Sequence, residues 1–558
     1  MIAMIAAFLA DGYKFGHAPM FPEGTEYAYS NFTPRSNKYA PKGCDEVMVF
    51  GTTYAMRQIH WAFEQSFFKI PKEHVIFQIR DVLTPYFGMD YDTTPFEKLH
   101  DLGYLPIRVK ALEEGTLCPI KVPMLTIVNT HKSFYWLPNF LETILSNSLW
   151  KPMTSATIAF SYKKLLTKWA LATDKDNVGF VDFQAHDFSM RGLDSVDATI
   201  ASGLGHLTSF KGTDSLPAII GARQFYNATG FVAGSVPASE HSVMCAGGKE
   251  SELETFRRLL RTFAKAPILS VVSDTWDLWK VVGPGGYVAQ LKEEILAGNT
   301  KLVIRPDSGD PVDIICGDEI EEFDTLDTAK EYFEGELYDN QIHGEQEFEI
   351  SEEKLVRVDG KIYQLIADVD WNRYDKQYYH IEDIRFNEFE IEQLPKHKGV
   401  IELLWDIFGG TVNEQGYKVL HPKIGAIYGD SITVDRAEQI CERLAAKKFA
   451  STNIVLGVGS YTYQFNTRDT FGFAMKATWV QVNGIGTSIF KDPITDDGMK
   501  KSAKGLIQII KQDGELKLRD GIGWKEEREG ELKLLYEDNV FYMKPTLDEI
   551  RDRVNNNL

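Results

Sequence analysis

The sequence predicts an α/β protein built on a barrel-like set of parallel strands, and three observations carry that reading. From about Ser155 onward, apolar strand-like runs alternate with helical stretches in about seven strand-tip-helix units over some 300 residues, the pattern of βαβ construction. Each run stops abruptly on a charged or Gly-rich tip, most plainly in Leu302-Val-Ile-Arg-Pro-Asp-Ser-Gly-Asp-Pro311. Arg305 and Asp307 stand there with little local reason for their charges. Finally, 558 residues with 44% hydrophobic and 25% charged content can bury a large core, enough for roughly two to four domains.

Taken in order, residues 1–153 mix short strands and helices rich in aromatics, a mixed α+β region. Asp45–Ile59 and Ser133–Leu149 read as helical or strand-to-helix, and Pro106–Val128 as a small β unit. Residues 154–316 and 421–490 read as the barrel-like catalytic domain. Within them Phe180–Ala185 precedes the tip His186-Asp-Phe-Ser-Met-Arg191 and a helical run to His206. Ser209–Asp214 leads into a helix over Leu216–Tyr226, and Gly234–His241 into the amphipathic Glu250–Ala264. Ile268–Asp274 is a strand and tip with a helix from about Asp277, followed by Leu302–Asp307. Lys423–Asp430 precedes a helix over Val434–Lys447, and Ile454–Ser460 is the last strand. Residues 317–420 interrupt the series as an acidic inserted subdomain, mostly β, with strand-like patches at Lys354–Asp359, Lys361–Ala367 and Tyr378–Arg385. Residues 491–558 are expected to pack back on the N-terminal region, completing the second domain.

The net charge of −20 argues against a general nucleic-acid or anionic-membrane surface. Most of it sits in one place: residues 317–395 carry 24 Asp and Glu against 7 Lys and Arg. The rest of the chain is nearly balanced, which leaves room for a local cationic pocket. Five cysteines lie far apart without metal-ligand spacing, as suits small core residues in a reducing cytosol. Met1–Ala10 is apolar but has no basic n-region and runs at once into Asp11-Gly-Tyr-Lys14, so it reads as a folded element. No apolar run reaches the roughly 18 residues that span a bilayer.

The tips define the chemistry, because ligands of parallel sheets bind at the carboxyl ends of the strands. Asp274, Asp307 and Asp430 each close a β-rich run. One such Asp is commonly a helix N-cap. Three at matching positions suit either Mg²⁺ or the cis hydroxyls of a ribose. Gly457-Val-Gly-Ser460 can present N–H groups to a phosphate or be an ordinary Gly-rich turn. Arg468 and Lys476 are phosphate contacts or plain surface charges. Phe188 and Arg191 offer a ring face and a guanidinium to one planar ligand, unless the ring is core. His241 is a structural histidine, an acid/base or a phosphoryl acceptor. Together these groups suit a phosphorylated sugar and a flat ring. A glycoside hydrolase also pairs carboxylates but has little need of phosphate elements.

The ordered set His186–Gly192, Phe210–Asp214, Ser235–His241, Val272–Asp274, Ile304–Gly309, Gly429-Asp430 and Asn483-Gly-Ile-Gly…Phe490–Pro493, with Asp11–Lys14, resembles the nicotinamide phosphoribosyltransferase family over nearly the whole chain except about 317–420. The resemblance implies a type II phosphoribosyltransferase fold and transfer from phosphoribosyl pyrophosphate to nicotinamide in NAD salvage. It further implies Mg²⁺, ATP as an activator and a cytoplasmic homodimer with active sites at the interface. It implies that Phe188 and the partner subunit's Tyr13 sandwich the ring, with Arg191, Asp214 and Arg305 around it. Asp307, Gly429 and Asp430 would hold the ribose. Gly459, Ser460 and the partner's Arg35, Arg468 and Lys476 would hold the 5-phosphate. Asp274 would lie near the ring or pyrophosphate, and His241 would be the histidine phosphorylated by ATP. Asp214 favours nicotinamide, since a carboxylate accepts a hydrogen bond from a carboxamide and repels nicotinate. A nicotinate-using enzyme and a non-catalytic binding or signalling relative are the alternatives. Three departures stand out: Ser460 replaces a Gly, Ser189-Met190 replaces a Gly-aromatic pair, and the acidic segment is extra.

Overall fold

The computed structural model describes residues 4–342, 351–375, 378–429, 431–490 and 503–558, and they form two compact units. The first contains residues 1–235, 429–438 and 455–558; the second contains 236–428 and 439–454.

The first unit is organised on a seven-stranded antiparallel sheet drawn from both ends of the chain. Its order is Ile485–Ser488, Ala474–Val482, Thr25–Thr33, Leu125–Asn129, Ile107–Ala111, Lys533–Glu537 and Val540–Phe541. The core beneath it is aromatic, with Tyr29, Phe32, Phe63, Phe67, Phe96 and Tyr536 almost fully buried. The 32-residue helix Glu142–Thr173 runs past Gly51, where φ is +84° and a Cβ would lie 2.6 Å from Pro152 Cγ. Beside this part stand three parallel strands, Gly212–Thr213, Ala185–Asp187 and Ile454–Val458. The first two feed the helices Leu216–Tyr226 and Val196–Leu207. Ser195 caps the latter through a 3.0 Å bond from Ala198 N.

The second unit holds three further parallel strands, Ile268–Val272, Lys301–Arg305 and Ile424–Tyr428. Ile268–Val272 and Ile424–Tyr428 are buried almost throughout, as expected of strands covered on both faces, while Lys301–Arg305 alternates buried and half-buried residues. The acidic segment folds as a four-stranded sheet ordered Glu321–Phe323, Ser351–Val358, Lys361–Asp375 and Tyr378–Ile391. It encloses its own core, which includes Phe333, Leu337, Val356, Leu365 and Ile381. The chain leaves and returns at one point: Asp318 N donates to Lys396 O at 3.3 Å. There Gly317 and Gly399, at φ +85° and +77°, lie so close that a Cβ on Gly399 would sit 2.1 Å from Gly317 N.

Three expectations need correction. Phe180–Ala185 is not a strand: a 3-10 turn over Lys175–Phe180 and one helical turn over Val181–Gln184 precede the short strand Ala185–Asp187. A short stretch broken by Asp182 and Gln184 fits either period, and Asp182 is drawn to Lys163 and Lys211 instead of a ladder. The run before His241 makes only the isolated bridges Gly212↔Gly234 and Ala238↔Ser270, because Pro237 has no N–H to donate. The acidic segment is mostly β, as expected, and also holds a helix over Leu326–Ile342. Cys245 is exposed, unlike the four buried cysteines, since it lies on the short surface helix His241–Gly247.

Candidate active site

In the second unit, two strand ends and the turn before His241 are tied together by side chains. Asp274 Oδ2 accepts from Asp307 N at 2.9 Å and from Ser308 Oγ at 2.5 Å, so one carboxylate shapes the neighbouring tip. Its Oδ1 is buried without a hydrogen-bond partner among the described residues. Neither Asp274 nor Asp307 caps a helix. Asp277 and Asp310 do, accepting from Trp279 N (3.0 Å) and Val312 N (2.8 Å) respectively, which leaves the two tip carboxylates for other work. Arg305 donates to Ser239 O at 2.6 Å, and Ser239 is fixed on the Ile268–Val272 strand through Ser270 O and Val272 N. This positions His241 two residues later. Its Nδ1 meets Thr275 Oγ1 at 3.1 Å and its Nε2 lies 3.7 Å from Asp307 Oδ2. With the side chain 48% exposed, the imidazole is oriented yet open to a ligand.

In the first unit, the His186–Gly192 tip follows its strand directly. Asp187 is fully buried, and its Oδ1 accepts from both Ser189 N (2.9 Å) and Ser189 Oγ (2.6 Å). Its backbone carbonyl receives Asp214 N at 3.0 Å. Ser189, the serine of the second departure, is thus a structural donor. His186 Nε2 meets Asp214 Oδ1 at 2.9 Å, and the Phe188 ring lies 4.5 Å from the His186 ring. Phe188 is half-buried, Arg191 is exposed and Asp214 is 44% exposed, so a ring face, a guanidinium and an anchored carboxylate are available to a ligand. Gly192 meets the first departure, for a Cβ there would lie 2.2 Å from Ser460 Oγ. Gly459 and Ser460 open the short helix Ser460–Gln464 at the end of the Ile454–Val458 strand.

The remaining predicted cations sit on one structural feature of the same unit. Arg35 N donates to Phe471 O and its Nε to Gly472 O (2.8 Å), Phe473 N donates to Arg468 O, and Lys476 lies opposite Asn31 in the antiparallel ladder. Tyr13 is 58% exposed on the turn Gly12–Gly16, where the buried Lys14 pairs with the half-buried Glu142 at 2.6 Å. Gly429 is half-buried. Asp430 lies outside the described residues. Sequence reasoning missed Ser239, Thr275 and Ser308, whose contacts run between distant segments and leave no local signal.

A Mg²⁺ cage is absent from the described residues: no group of three or more His, Cys, Asp or Glu could hold a metal. The buried, unpartnered Oδ1 of Asp274 suits an ion carried mainly by substrate phosphates and completed by one carboxylate.

Residues 183–358 and 382–535 match the Nicotinate phosphoribosyltransferase (NAPRTase) family. The chain is 43% identical over 98% of its length, and 96% of the relative's, to a protein of Acinetobacter baylyi named nicotinamide phosphoribosyltransferase. It is 33% identical over 87% of its length, and 92% of the relative's, to one of that name from Mycoplasma pneumoniae. The crystal structure of human nicotinic acid phosphoribosyltransferase superposes with a TM-score of 0.50 at 15% identity, covering 98% of this chain and 93% of that one, a likeness of fold. This chain belongs to the nicotinate phosphoribosyltransferase family, whose fold is that of the type II phosphoribosyltransferases. The family match takes in residues 317–358, so the part of the acidic segment outside it is 359–381.

Proposed function

We propose that the protein transfers the 5-phosphoribosyl group from phosphoribosyl pyrophosphate to nicotinamide, giving nicotinamide mononucleotide and pyrophosphate for NAD salvage. The observation that carries the choice of base is Asp214, held by His186 at 2.9 Å with nearly half of its side chain open. A carboxylate so fixed accepts the carboxamide N–H of nicotinamide and repels nicotinate's carboxylate. The near-full-length likeness to relatives named for nicotinamide supports the same choice.

On this reading Phe188 stacks on the ring opposite Tyr13 of a second copy, with Arg191 and Arg305 beside it. Asp307, Gly429 and Asp430 hold the ribose. The Gly459–Ser460 turn, with Arg35, Arg468 and Lys476 of that second copy, holds the 5-phosphate. The active form is then a cytoplasmic homodimer. Breaking the C1–pyrophosphate bond leaves a cation-like ribose and charge on the departing oxygens. Bound Mg²⁺ supplies charge stabilisation at those oxygens. The chain's own part is to align the neutral ring nitrogen with C1, which removes much of the entropic barrier. ATP acts through His241: the imidazole, set between Thr275 and Asp307, takes a phosphoryl group whose hydrolysis drives synthesis.

Pyrophosphate release from phosphoribosyl pyrophosphate tests both parts. It should require nicotinamide and rise on adding ATP, and the ATP increment should vanish in His241→Ala while basal release persists. Release that ignores the base rejects the transfer; full ATP stimulation of His241→Ala rejects the phosphohistidine.

A further inference from the structure

The first unit contains a buried polar chain that the roles above leave unused. His206 is completely buried in the helix Val196–Leu207. Its Nε2 lies 3.0 Å from Gly212 O, and its Nδ1 lies 2.7 Å from Tyr463 Oη. A carbonyl only accepts, so Nε2 carries the proton. Burial pushes the imidazole pKa down to about 4, so the ring is neutral and Nδ1 is a lone pair. Tyr463, also buried, holds its hydroxyl proton far above the ordinary tyrosine range and donates it to Nδ1. One tautomer and one ring orientation satisfy both ends.

Both ends lead to the candidate site. Tyr463 stands three residues after Ser460 in the short helix Ser460–Gln464, and its carbonyl is held by the buried Lys151 ammonium. Gly212 lies in register with His186 in the parallel pair, so close that a Cβ would come within 2.8 Å of His186 Nδ1. Asp214 follows two residues on and is the group His186 holds. We propose that His206 and Tyr463 are positioning residues for the transfer, their hydrogen-bond chain fixing the Gly459–Ser460 turn and the Asp214 loop in a single relative geometry. The inference rests on the function proposed above. An apolar pair of similar volume would fill the same core without desolvating polar groups, whereas a fully satisfied polar chain enforces one arrangement. Two substrates that must meet within a few tenths of an ångström need that.

Three variants decide it: His206→Leu, which breaks both bonds; Tyr463→Phe, which removes one oxygen; and His206→Gln, whose amide supplies one donor and one acceptor. Each is assayed for kcat, for KM of nicotinamide and of phosphoribosyl pyrophosphate, for phosphoribosyl pyrophosphate affinity by calorimetry, and for Tm. The expected result is a rise on the order of ten-fold in both KM values for the Leu and Phe variants, with a smaller change in kcat. His206→Gln should recover most of that loss. Unchanged KM values in a folded His206→Leu protein overturn the proposal, and so does a Gln variant no better than Leu. If His206→Leu does not fold, Tyr463→Phe decides the matter by the same criteria. A parent protein that makes no nicotinamide mononucleotide defeats the proposed function instead, and phosphoribosyl pyrophosphate affinity across the variants then decides the positioning role alone.

Discussion

In the proposed function, two residues, Asp214 and Phe188, set the choice of base. His186 spends its Nε2 on one oxygen of Asp214, which fixes the carboxylate that the proposal sets against the carboxamide. Asp214→Asn should therefore lose selectivity in both directions, raising the nicotinamide KM and admitting nicotinate, as competition kinetics would show. Phe188→Ala should raise the nicotinamide KM by the equivalent of about 1–3 kcal/mol, the usual worth of stacking a flat ring on an aromatic, with little effect on phosphoribosyl pyrophosphate. His206 adds a pH signature. Its folded pKa of about 4 lies below the unfolded value of 6.5, so the folded state takes up fewer protons between those limits. Stability should be untouched by this group above pH 6.5 and should fall by about 3 kcal/mol in total as pH drops toward 4. In urea unfolding across that window, His206→Gln should show the shallower pH dependence; an identical slope in both proteins would contradict the buried neutral imidazole. The tip residues were legible in the sequence because charge at the end of an apolar run has few structural uses. His206 and Tyr463 were not, since their bond joins residues 257 apart and both sit in helices that look ordinary by composition.

At the scale of elements, the strand-end rule held where a β-branched run met a clear breaker, as at Ile268–Val272 and Lys301–Arg305. It failed for Phe180–Ala185, too short to fix a period, and before His241, where Pro237 interrupts the ladder. The sequence placed helices after several tips, one from about Asp277, without saying which Asp capped which helix. Backbone donors decide that, and they assign Asp277 and Asp310 to capping. The C-terminal helix Leu547–Asn555 carries an interaction no motif announced. Arg551 is 8% exposed and donates to Leu207 O, Phe210 O and Val232 O. Arg551→Leu leaves those buried carbonyls short of a donor and should cost about 2–3 kcal/mol of stability. It should lower Tm without altering the KM values of the protein that remains folded.

For the whole molecule, the uneven charge turns out to have a compact source. The acidic sheet has its own core and joins the second unit where Asp318 meets Lys396, and the assigned residues all lie outside it. Replacing 319–395 with a short Gly-rich bridge should preserve folding and turnover, because the ends already touch and closing a short loop costs little. Loss of turnover in a folded excision variant would show that the subdomain takes part in the reaction. No helix among the described residues is long and apolar enough to cross a membrane, in keeping with the sequence. The family, the order of its motifs and an inserted acidic subdomain were legible from the chain; which residues close that subdomain's core was not, because strand-like patches do not reveal what they enclose. The most direct measurement of the central claim is mass spectrometry of the product formed from phosphoribosyl pyrophosphate, Mg²⁺ and an equimolar mixture of nicotinamide and nicotinate. The account predicts nicotinamide mononucleotide almost alone; nicotinate mononucleotide as the main product would contradict it.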